Sequence, residues 1–196
     1  MNKLSKVLIF IGILLIIVSG FITITNNYED NKAKENSKSV LKNLKDNIKE
    51  QTKDKSSTNI KSTNISKQDN TIKIDNNKYI GIITIPILNI ELPIMSNYNE
   101  EKLKLAPCVY HGTISNKLII CAHSYRSHFG TLSKLSQNDK IVITNVDGEN
   151  IIYEVLEIEV LDSNDIKKMI NTEFDLTLYT CTNDGTKRIT VRANKV

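Results

Sequence analysis

A long apolar segment near the N-terminus is the strongest constraint on what this chain can form. No charged residue occurs from Val7 to Tyr28, and Val7–Ile24 is almost wholly apolar. As a helix, Val7–Ile24 would span roughly 27 Å, close to the roughly 30 Å hydrocarbon core of a bilayer. A cleaved signal peptide would need small residues in an A-x-A-like pattern after this run, and SGFITITNN offers no good match. We therefore predict a retained membrane anchor over residues 1–25.

The flanking charges predict how this anchor is oriented. Lys3 and Lys6 lie on its short N-terminal side, which the positive-inside rule places in the cytoplasm. Everything after about Thr25 is then expected outside the cell. Residues 1–78 contain 14 lysines and 8 acidic residues, a net charge of +6, whereas residues 79–196 have a net charge of −2. The second part therefore lacks the basic excess that nucleic-acid binding requires, and no nucleic-acid partner is expected.

Residues 26–78 have the composition of a polar linker. They are rich in Asn, Lys, Ser, Asp and Thr and contain no Pro, Gly or Phe, so they offer too little apolar surface to fold alone. Apolar residues recur at helical spacing in one piece: Val40, Leu41, Leu44 and Ile48. This spacing predicts a short amphipathic helix over about 34–53, interpreted as a solvated tether, with a partner-binding or regulatory segment as the alternative. Residues 56–70 are predicted to be a flexible linker.

From Tyr79 the pattern changes to short alternating segments that are typical of strands. YIGIITIPILNIELPIM (79–95) indicates two strands with Pro86 and Pro93 at the joints. Six to eight strands with little helix predict a mainly β domain over 79–196, a closed or nearly closed barrel. Further strands are predicted at 117–123, 140–146, 150–161, 176–181 and 188–193, with a DGEN hairpin between the second and third of these and short helices at about 99–105, 129–136 and 164–170.

Cys181 is the candidate nucleophile. It ends an alternating strand, where side chains meet solvent or a groove, and its neighbours Thr180 and Thr182 are not bulky. If the two strands on either side of the following turn pair, Arg188 faces Cys181, and a guanidinium near a thiol favours the nucleophilic thiolate. The alternative is a buried structural cysteine, which is what most free cysteines are.

His123 is the candidate proton-transfer group. It follows an apolar strand and begins a polar loop, where catalytic residues held by a rigid scaffold tend to lie, although a surface or structural histidine is the alternative. His128, next to Phe129, is expected to pack, and His111 is expected in a turn. A cysteine, a histidine and an arginine on neighbouring strand ends would form a thiol acyl-transfer site.

The other cysteines and the acidic residues are less informative. Cys108 and Cys121 could pair or stay free. No CxxC, HxxxH or HExxH spacing occurs, so we expect neither a metal site nor a cofactor. Glu154, Glu157 and Glu159 alternate along one strand and are interpreted as a solvated face.

The final hairpin, LTLYTCTNDGTKRITVR, closely resembles the TLxTC…R signature of sortases, the membrane-anchored cysteine transpeptidases of Gram-positive bacteria. Three earlier segments are similar in the expected order: YIGIITIPILNIELPI, LAPCVYHGTI and IICAHSYRSHFGTLSKLSQNDKIVI, the last with Ala122 where many members have Gly. The resemblance covers about residues 79–196, behind an N-terminal anchor. It implies the eight-stranded sortase β-barrel with a few short helices.

The resemblance also implies roles for single residues. The implied catalytic set is the nucleophile Cys181, the general acid/base His123 and the substrate- and oxyanion-stabilising Arg188. Arg192 is the less favoured arginine, because in the family the arginine opens the final strand. Thr180 would line the substrate groove, and the loop at about 161–175 would help to read the sorting signal.

The implied reaction has two halves. The cysteine cleaves an LPxTG-like sorting signal of a surface protein between Thr and Gly, and an amine, usually on a peptidoglycan precursor, then resolves the thioester. The alternatives are a hydrolytic cysteine peptidase on the same barrel and a pilin-polymerising sortase, which is disfavoured because residues 56–78 lack the expected Asp-Pro-aromatic lid stretch. SYRSHF resembles class D and the HGTI and FGTLSKL features resemble class B, with a slight lean to class D.

Overall fold

The computed structural model describes residues 3–55 and 69–196, which fall into two compact units, Met1–Lys32 and Ala33–Val196. The first unit is helical, and large apolar side chains such as Leu8, Phe10 and Phe21 are more than half exposed. Such exposure is unfavourable in water and favourable in lipid. The helix is long and apolar enough to cross a membrane, so it is a candidate membrane anchor.

The second unit is built mainly from strands rich in β-branched residues, which pack well on a pleated surface. The helices are α1 (Lys3–Lys55), α2 (Glu100–Leu103) and α3 (Ile166–Ile170), and 3₁₀ turns lie at Pro86–Leu88 and Leu132–Lys134. The strands are β1 (Ile72–Ile74), β2 (Asn77–Ile85), β3 (Ile90–Met95), β4 (Cys108–Thr113), β5 (Asn116–Cys121), β6 (Lys140–Asn145), β7 (Asn150–Asp162), β8 (Leu176–Cys181) and β9 (Lys187–Lys195).

Eight of the nine strands in the described residues close into a barrel. The order around it is β2-β3-β4-β5-β8-β9-β7-β6, and antiparallel pairing of β2 with β6 closes the ring. The closing strands approach tightly at Gly81, where a Cβ atom would lie 2.1 Å from the carbonyl oxygen of Thr144. Only glycine fits such a crossing. β3–β4 and β5–β8 are parallel neighbours, whereas the other neighbours in the ring are antiparallel.

The barrel interior is filled by apolar side chains from all eight strands. Alternate residues point inward, as Leu176 and Leu178 do on β8 and as Val191 and Ala193 do on β9. Phe129, from the loop after β5, joins the same buried cluster. The intervening residues of β8 and β9 face outward, which is the side on which the candidate site lies.

The C-terminal part of α1 packs on the outside of the barrel. Lys45 of this segment forms an ion pair of 2.7 Å with Glu91 of β3. Apolar residues of the helix, β2, β3 and the β6–β7 turn share one buried cluster that includes Leu44, Ile48, Ile82, Met95 and Val146. The amphipathic helix predicted over about 34–53 is present within α1, but its apolar face is covered by the barrel, so its interpretation as a solvated tether is wrong.

The structure confirms the predicted eight-stranded barrel and the DGEN hairpin, which joins β6 to β7. The strands β1 and β4 were not expected, because β1 is short and β4 has two register irregularities that break its alternation. The predicted boundary at residue 78 falls inside the second compact unit, since β1 and the packed part of α1 precede it. The linker predicted over 56–70 lies outside the described residues, apart from Asp69 and Asn70.

The docked helix gives a stability prediction. Leu44 is fully buried on the barrel, whereas its neighbour Asn43 is exposed. In a chain shortened to residues 26–196, Leu44→Ala is expected to lower the free energy of unfolding by about 3 kcal/mol, because it removes buried apolar contacts and leaves a cavity. Urea unfolding followed by circular dichroism measures this change. The matched variant Asn43→Ala should stay within about 0.5 kcal/mol, and equal effects of the two variants would contradict the packing.

Candidate active site

The ends of β5 and β8 lie side by side at one edge of the barrel. The two strands are parallel, with Cys121 opposite Tyr179 as their last pair. One residue further on, the N–H of Ala122 donates to the carbonyl of Tyr179 at 3.2 Å. His123 and Cys181 are the residues that follow next along the two segments, so both lie at this end of the paired strands. The fold thus brings together two candidate residues that are distant in the sequence.

Arg188 lies on the other side of Cys181. The two residues are direct partners in the antiparallel pair of β8 and β9, so the order along the edge is His123, Cys181, Arg188. In this structure Nη1 of Arg188 donates to the carbonyls of Gly185 and Lys187, both at 3.0 Å. A guanidinium has five N–H donors, so these contacts leave donors for a substrate oxygen.

Asp184 braces the turn between Cys181 and Arg188. Its carboxylate accepts hydrogen bonds from the hydroxyls of Thr182 and Thr186, and from the N–H of Thr186 at 3.2 Å. These bonds, that of Thr182 first, lower the pKa of Asp184 to about 2, so the carboxylate is ionised at neutral pH. The sequence analysis identified the turn but missed the hydrogen bonds to Asp184 that stabilise it. The pattern Thr-x-Asp-x-Thr could have indicated these bonds.

A groove of about 260 Å³ opens beside Arg188 on the outer face of the barrel. One wall is aromatic: Tyr98, Tyr110 and Tyr179 meet edge to face, with ring centroids 5.9 Å and 5.5 Å apart. The end of β7, α3 and the residues between them form the opposite wall with Asp162, Asp165, Ile166 and Met169. The groove therefore combines apolar and aromatic surface with an acidic rim and a cation at one end.

The sequence analysis named the loop at 161–175 but missed the three tyrosines of this groove. Tyr98 lies in the loop after β3, and Tyr110 lies in the irregular strand β4, so no local pattern links either residue to Cys181. Burial raises the pKa of Tyr98 and Tyr179, so both hydroxyls stay protonated and able to donate a hydrogen bond at neutral pH.

Thr180 differs from its predicted placement. Its side chain is 1% exposed and its hydroxyl donates to the carbonyl of Ala122 at 2.8 Å. Since residues alternate along β8, the inward position of Thr180 is what turns Cys181 outward. Thr180 therefore does not line the groove; it ties the end of β8 to the end of β5.

The two arginines of β9 have different surroundings. Arg192 is 3% exposed, and its Nε donates to Oε1 of Glu159 at 2.8 Å. Its terminal nitrogens donate to the hydroxyl of Thr177 and to the carbonyls of Lys168 and Met169, at 2.9 Å, 2.9 Å and 3.3 Å. This guanidinium holds α3 against β7 and β8, whereas Arg188 opens onto the groove. The choice of Arg188 over Arg192 as the candidate site residue stays a prediction.

Neither of the other two histidines flanks the candidate nucleophile. His111 is exposed on β4, opposite Ile119, and His128 is buried, as expected for a residue that packs. Cys108 and Cys121 are opposite partners of β4 and β5, and both are buried with free thiols. Burial raises the pKa of each of these thiols to about 12.

Two of the three acidic residues noted on β7 are engaged by cations. Glu154 pairs with Lys140 across the β6–β7 hairpin, and Glu159 pairs with Arg192. Among the residues that the structure describes, no group of three or more His, Cys, Asp and Glu side chains is arranged to hold a metal ion.

Comparison with known proteins shows the family of this chain. The sequence model of the sortase domain matches residues 83–196, more than half of the chain. The chain belongs to the sortase family. The match covers the whole of the edge formed by His123, Cys181 and Arg188, together with both walls of the groove. A comparison with curated proteins finds no match.

Solved sortase structures share the fold of this sortase. Sortase A from Corynebacterium diphtheriae is 28% identical, with a TM-score of 0.56 over 61% of this chain and 61% of its own. A pilus-related sortase C of Group B Streptococcus is 30% identical, with a TM-score of 0.55 over 63% of this chain and 69% of its own. Sortase C of Streptococcus pneumoniae, at 20% identity, has a TM-score of 0.59 over 81% of this chain and 96% of its own, which shows the fold alone. These relatives are sortases A and C, so the lean to class D stays a prediction.

The different burial of the three cysteines predicts selective alkylation. Thiols with a pKa near 12 stay protonated at neutral pH, and only the thiolate reacts quickly, so Cys108 and Cys121 should be inert in the folded protein. Cys181 is partly exposed beside a guanidinium and should be modified first. Brief iodoacetamide treatment near neutral pH followed by peptide mass spectrometry measures the site of labelling. Equal labelling of all three cysteines under native conditions would contradict this assignment.

Replacing Arg188 and replacing Arg192 should change the free energy of unfolding by different amounts. Arg192→Met is expected to lower the free energy of unfolding by about 3 kcal/mol, because it leaves Glu159 and Thr177 without their buried partner. Arg188→Met should change the free energy of unfolding by no more than about 0.5 kcal/mol, since its two hydrogen bonds are exposed. Urea unfolding of the two variants makes the comparison, and a larger effect at Arg188 would reverse the assignment.

Proposed function

We propose that this sortase is a cysteine transpeptidase that cleaves an LPxTG-like sorting signal between Thr and Gly and transfers the acyl group to an amine of the cell wall. The observation that carries the proposal is the order His123, Cys181, Arg188 along one barrel edge, next to an aromatic groove. A nucleophile flanked by a proton-transfer group and a cation is what acyl transfer requires.

The first half of the reaction forms a thioester. The thiolate of Cys181 attacks the Thr carbonyl carbon, and the π electrons of the carbonyl move to its oxygen, where the guanidinium of Arg188 stabilises the negative charge. His123 donates a proton to the Gly nitrogen as the carbon–nitrogen bond breaks. The C-terminal part leaves as a neutral amine, and the N-terminal part stays bonded to Sγ.

The second half transfers the acyl group. The nitrogen of an acceptor amine attacks the thioester carbonyl, and His123 takes the proton that this nitrogen loses. The carbon–sulfur bond breaks, a new amide forms, and Cys181 returns to its thiolate. Arg188 serves the second oxyanion as it served the first. Thr180 contributes indirectly, because its bond to Ala122 keeps the two strand ends together.

The groove supports a peptide substrate with apolar residues before the cleaved bond. Its three tyrosines and the side chains of Ile166 and Met169 offer flat, apolar walls of the kind that Leu and Pro side chains contact well. The groove is small for a ligand pocket, so we propose that it holds the Leu-Pro part of the signal while the Thr-Gly bond lies over Cys181.

The proposed partners follow from this activity and from the N-terminal helix. Surface proteins that carry the sorting signal are the donors, and an amine of a peptidoglycan precursor is the acceptor. We propose that residues 1–25 anchor the enzyme as a single pass, with the N-terminus in the cytoplasm and the catalytic domain outside the cell. Lys3 and Lys6 on the N-terminal side of the helix support that orientation.

A peptide assay tests the proposed function. A fluorogenic LPxTG peptide is incubated with the enzyme, with and without an amine acceptor, and mass spectrometry measures cleaved and transferred products. The wild type should give the amide with the acceptor. Cys181→Ala should lose activity by at least about 1,000-fold, and Arg188→Ala should lower kcat about 100-fold, because each removes a group that acts on the reacting carbonyl.

Cys108→Ala is the matched control. Its thiol is fully buried and its Sγ contacts the carbonyl of Ala106, so this variant should keep wild-type turnover. Cleavage without any transfer at high amine concentration would show a hydrolytic peptidase instead. Full turnover in Cys181→Ala would overturn the catalytic assignment altogether.

A further inference from the structure

Hydrogen bonds within its own backbone close the loop that carries His123, and a residue of α1 contacts the loop from outside. The N–H of Phe129 donates to the carbonyl of His123 at 3.2 Å, and the N–H of Gly130 donates to the carbonyl of Tyr125 at 2.9 Å. A Cβ at Gly130 would lie 2.3 Å from the carbonyl oxygen of Ser124, so the loop closes tightly at this glycine. These bonds set the backbone but leave the rings of the loop to be positioned by their neighbours.

A line of ring contacts leads from the candidate general acid/base to the back of the loop. The rings of His123 and Tyr125 have centroids 4.9 Å apart, and those of Tyr125 and His128 are 5.6 Å apart. His128 is fully buried, so its ring is a fixed support for that of Tyr125. The orientation of the His123 imidazole therefore depends in part on where His128 is held.

Helix α1 holds His128. Ser37, which is 2% exposed, donates its hydroxyl hydrogen to the carbonyl of Leu105 at 2.6 Å. Nε2 of His128 lies 3.2 Å from the same hydroxyl oxygen. A hydroxyl has one hydrogen and it is already given to Leu105, so Nε2 of His128 must carry the proton and donate it to Ser37. One serine of the helix thus links the loop after α2 to the histidine loop.

We propose that Ser37 is a positioning residue for the catalytic histidine: the C-terminal part of α1 sets the orientation of the His123 ring through His128 and Tyr125. This inference rests on the proposed function for the role of His123. Without the Ser37 hydroxyl, the donor of His128 and the carbonyl of Leu105 lose a buried partner, and the His128 ring can shift. The shift passes along the rings and misaligns the imidazole with Cys181, which lowers the rate of chemistry rather than the binding of peptide.

The test uses the full chain in detergent and two readouts. The first is kcat and KM for the sorting-signal peptide; the second is the rate of Cys181 alkylation at neutral pH, which needs no peptide. Ser37→Ala is expected to lower kcat about tenfold with KM nearly unchanged. Alkylation of Cys181 at neutral pH should become slower, because a displaced imidazole assists the thiol less.

Four further variants sharpen the test. Ser39→Ala, a serine-to-alanine change at an exposed position of the same helix, should behave as the wild type. Ser37→Thr keeps the hydroxyl and should restore most of kcat. Tyr125→Leu removes the middle ring and should give the Ser37→Ala phenotype, and the double variant should be no slower than the slower single variant, since both act along one line of contacts.

The outcomes separate the two proposals. If folded Ser37→Ala keeps the wild-type kcat and alkylation rate, or if Ser39→Ala is equally impaired, Ser37 is structural only and the inference is wrong. Fully additive losses in the double variant would also overturn it. If the wild type processes no peptide while Ser37→Ala still slows the alkylation of Cys181, the positioning role stands and the proposed function fails.

Discussion

The parallel pairing of β5 with β8 is the contact on which the candidate site depends. Parallel strands end at the same edge of a sheet, so a residue that follows one strand meets a residue that follows the other. The hydroxyl of Thr180, buried against the carbonyl of Ala122, extends this pairing beyond the last ladder bond. His123 and Cys181 are the next residues, and the hairpin to β9 adds Arg188 on the far side. Three residues from two segments that are distant in the sequence thus share one edge, because the fold pairs those segments.

The position of each arginine along β9 decides what its guanidinium can do. Arg188 and Arg192 are four residues apart on an alternating strand, so both face outward. The second is covered by α3 and uses its planar fork on one carboxylate, one hydroxyl and two carbonyls. Arg188 lies beyond the part of β9 that α3 covers, beside the groove. The same residue type therefore serves the packing of the groove wall at one position and remains available to a substrate at the other.

The features that the sequence predicted are those set by local pattern. Alternation and turn residues predicted most of the barrel strands and the hairpin that brings Arg188 opposite Cys181. The position of His123 between an apolar strand and a polar loop made it a candidate, which the resemblance to sortases supported. The meeting of His123 with Cys181 depends on strand order, which no local pattern encodes. Tyr98 and Tyr110 were missed for the same reason. The resemblance to sortases placed Thr180 in the groove, whereas the structure buries its side chain with the hydroxyl on the carbonyl of Ala122, a partner that no local pattern indicates.

The helix shows why a solvated and a packed amphipathic segment cannot be told apart by spacing alone. Leu44 and Ile48 fit either case, since a weak apolar stripe can be solvated or covered. Ser37 lies on the same face, and a buried hydroxyl is costly unless it is satisfied at both its hydrogen and its lone pairs. The barrel provides the carbonyl of Leu105 and the ring of His128 for these two needs. Apolar contacts alone would tolerate small shifts of the helix. The Ser37 hydroxyl is hydrogen-bonded to two fixed partners and does not tolerate them, so these two bonds specify where the helix lies beside the histidine loop.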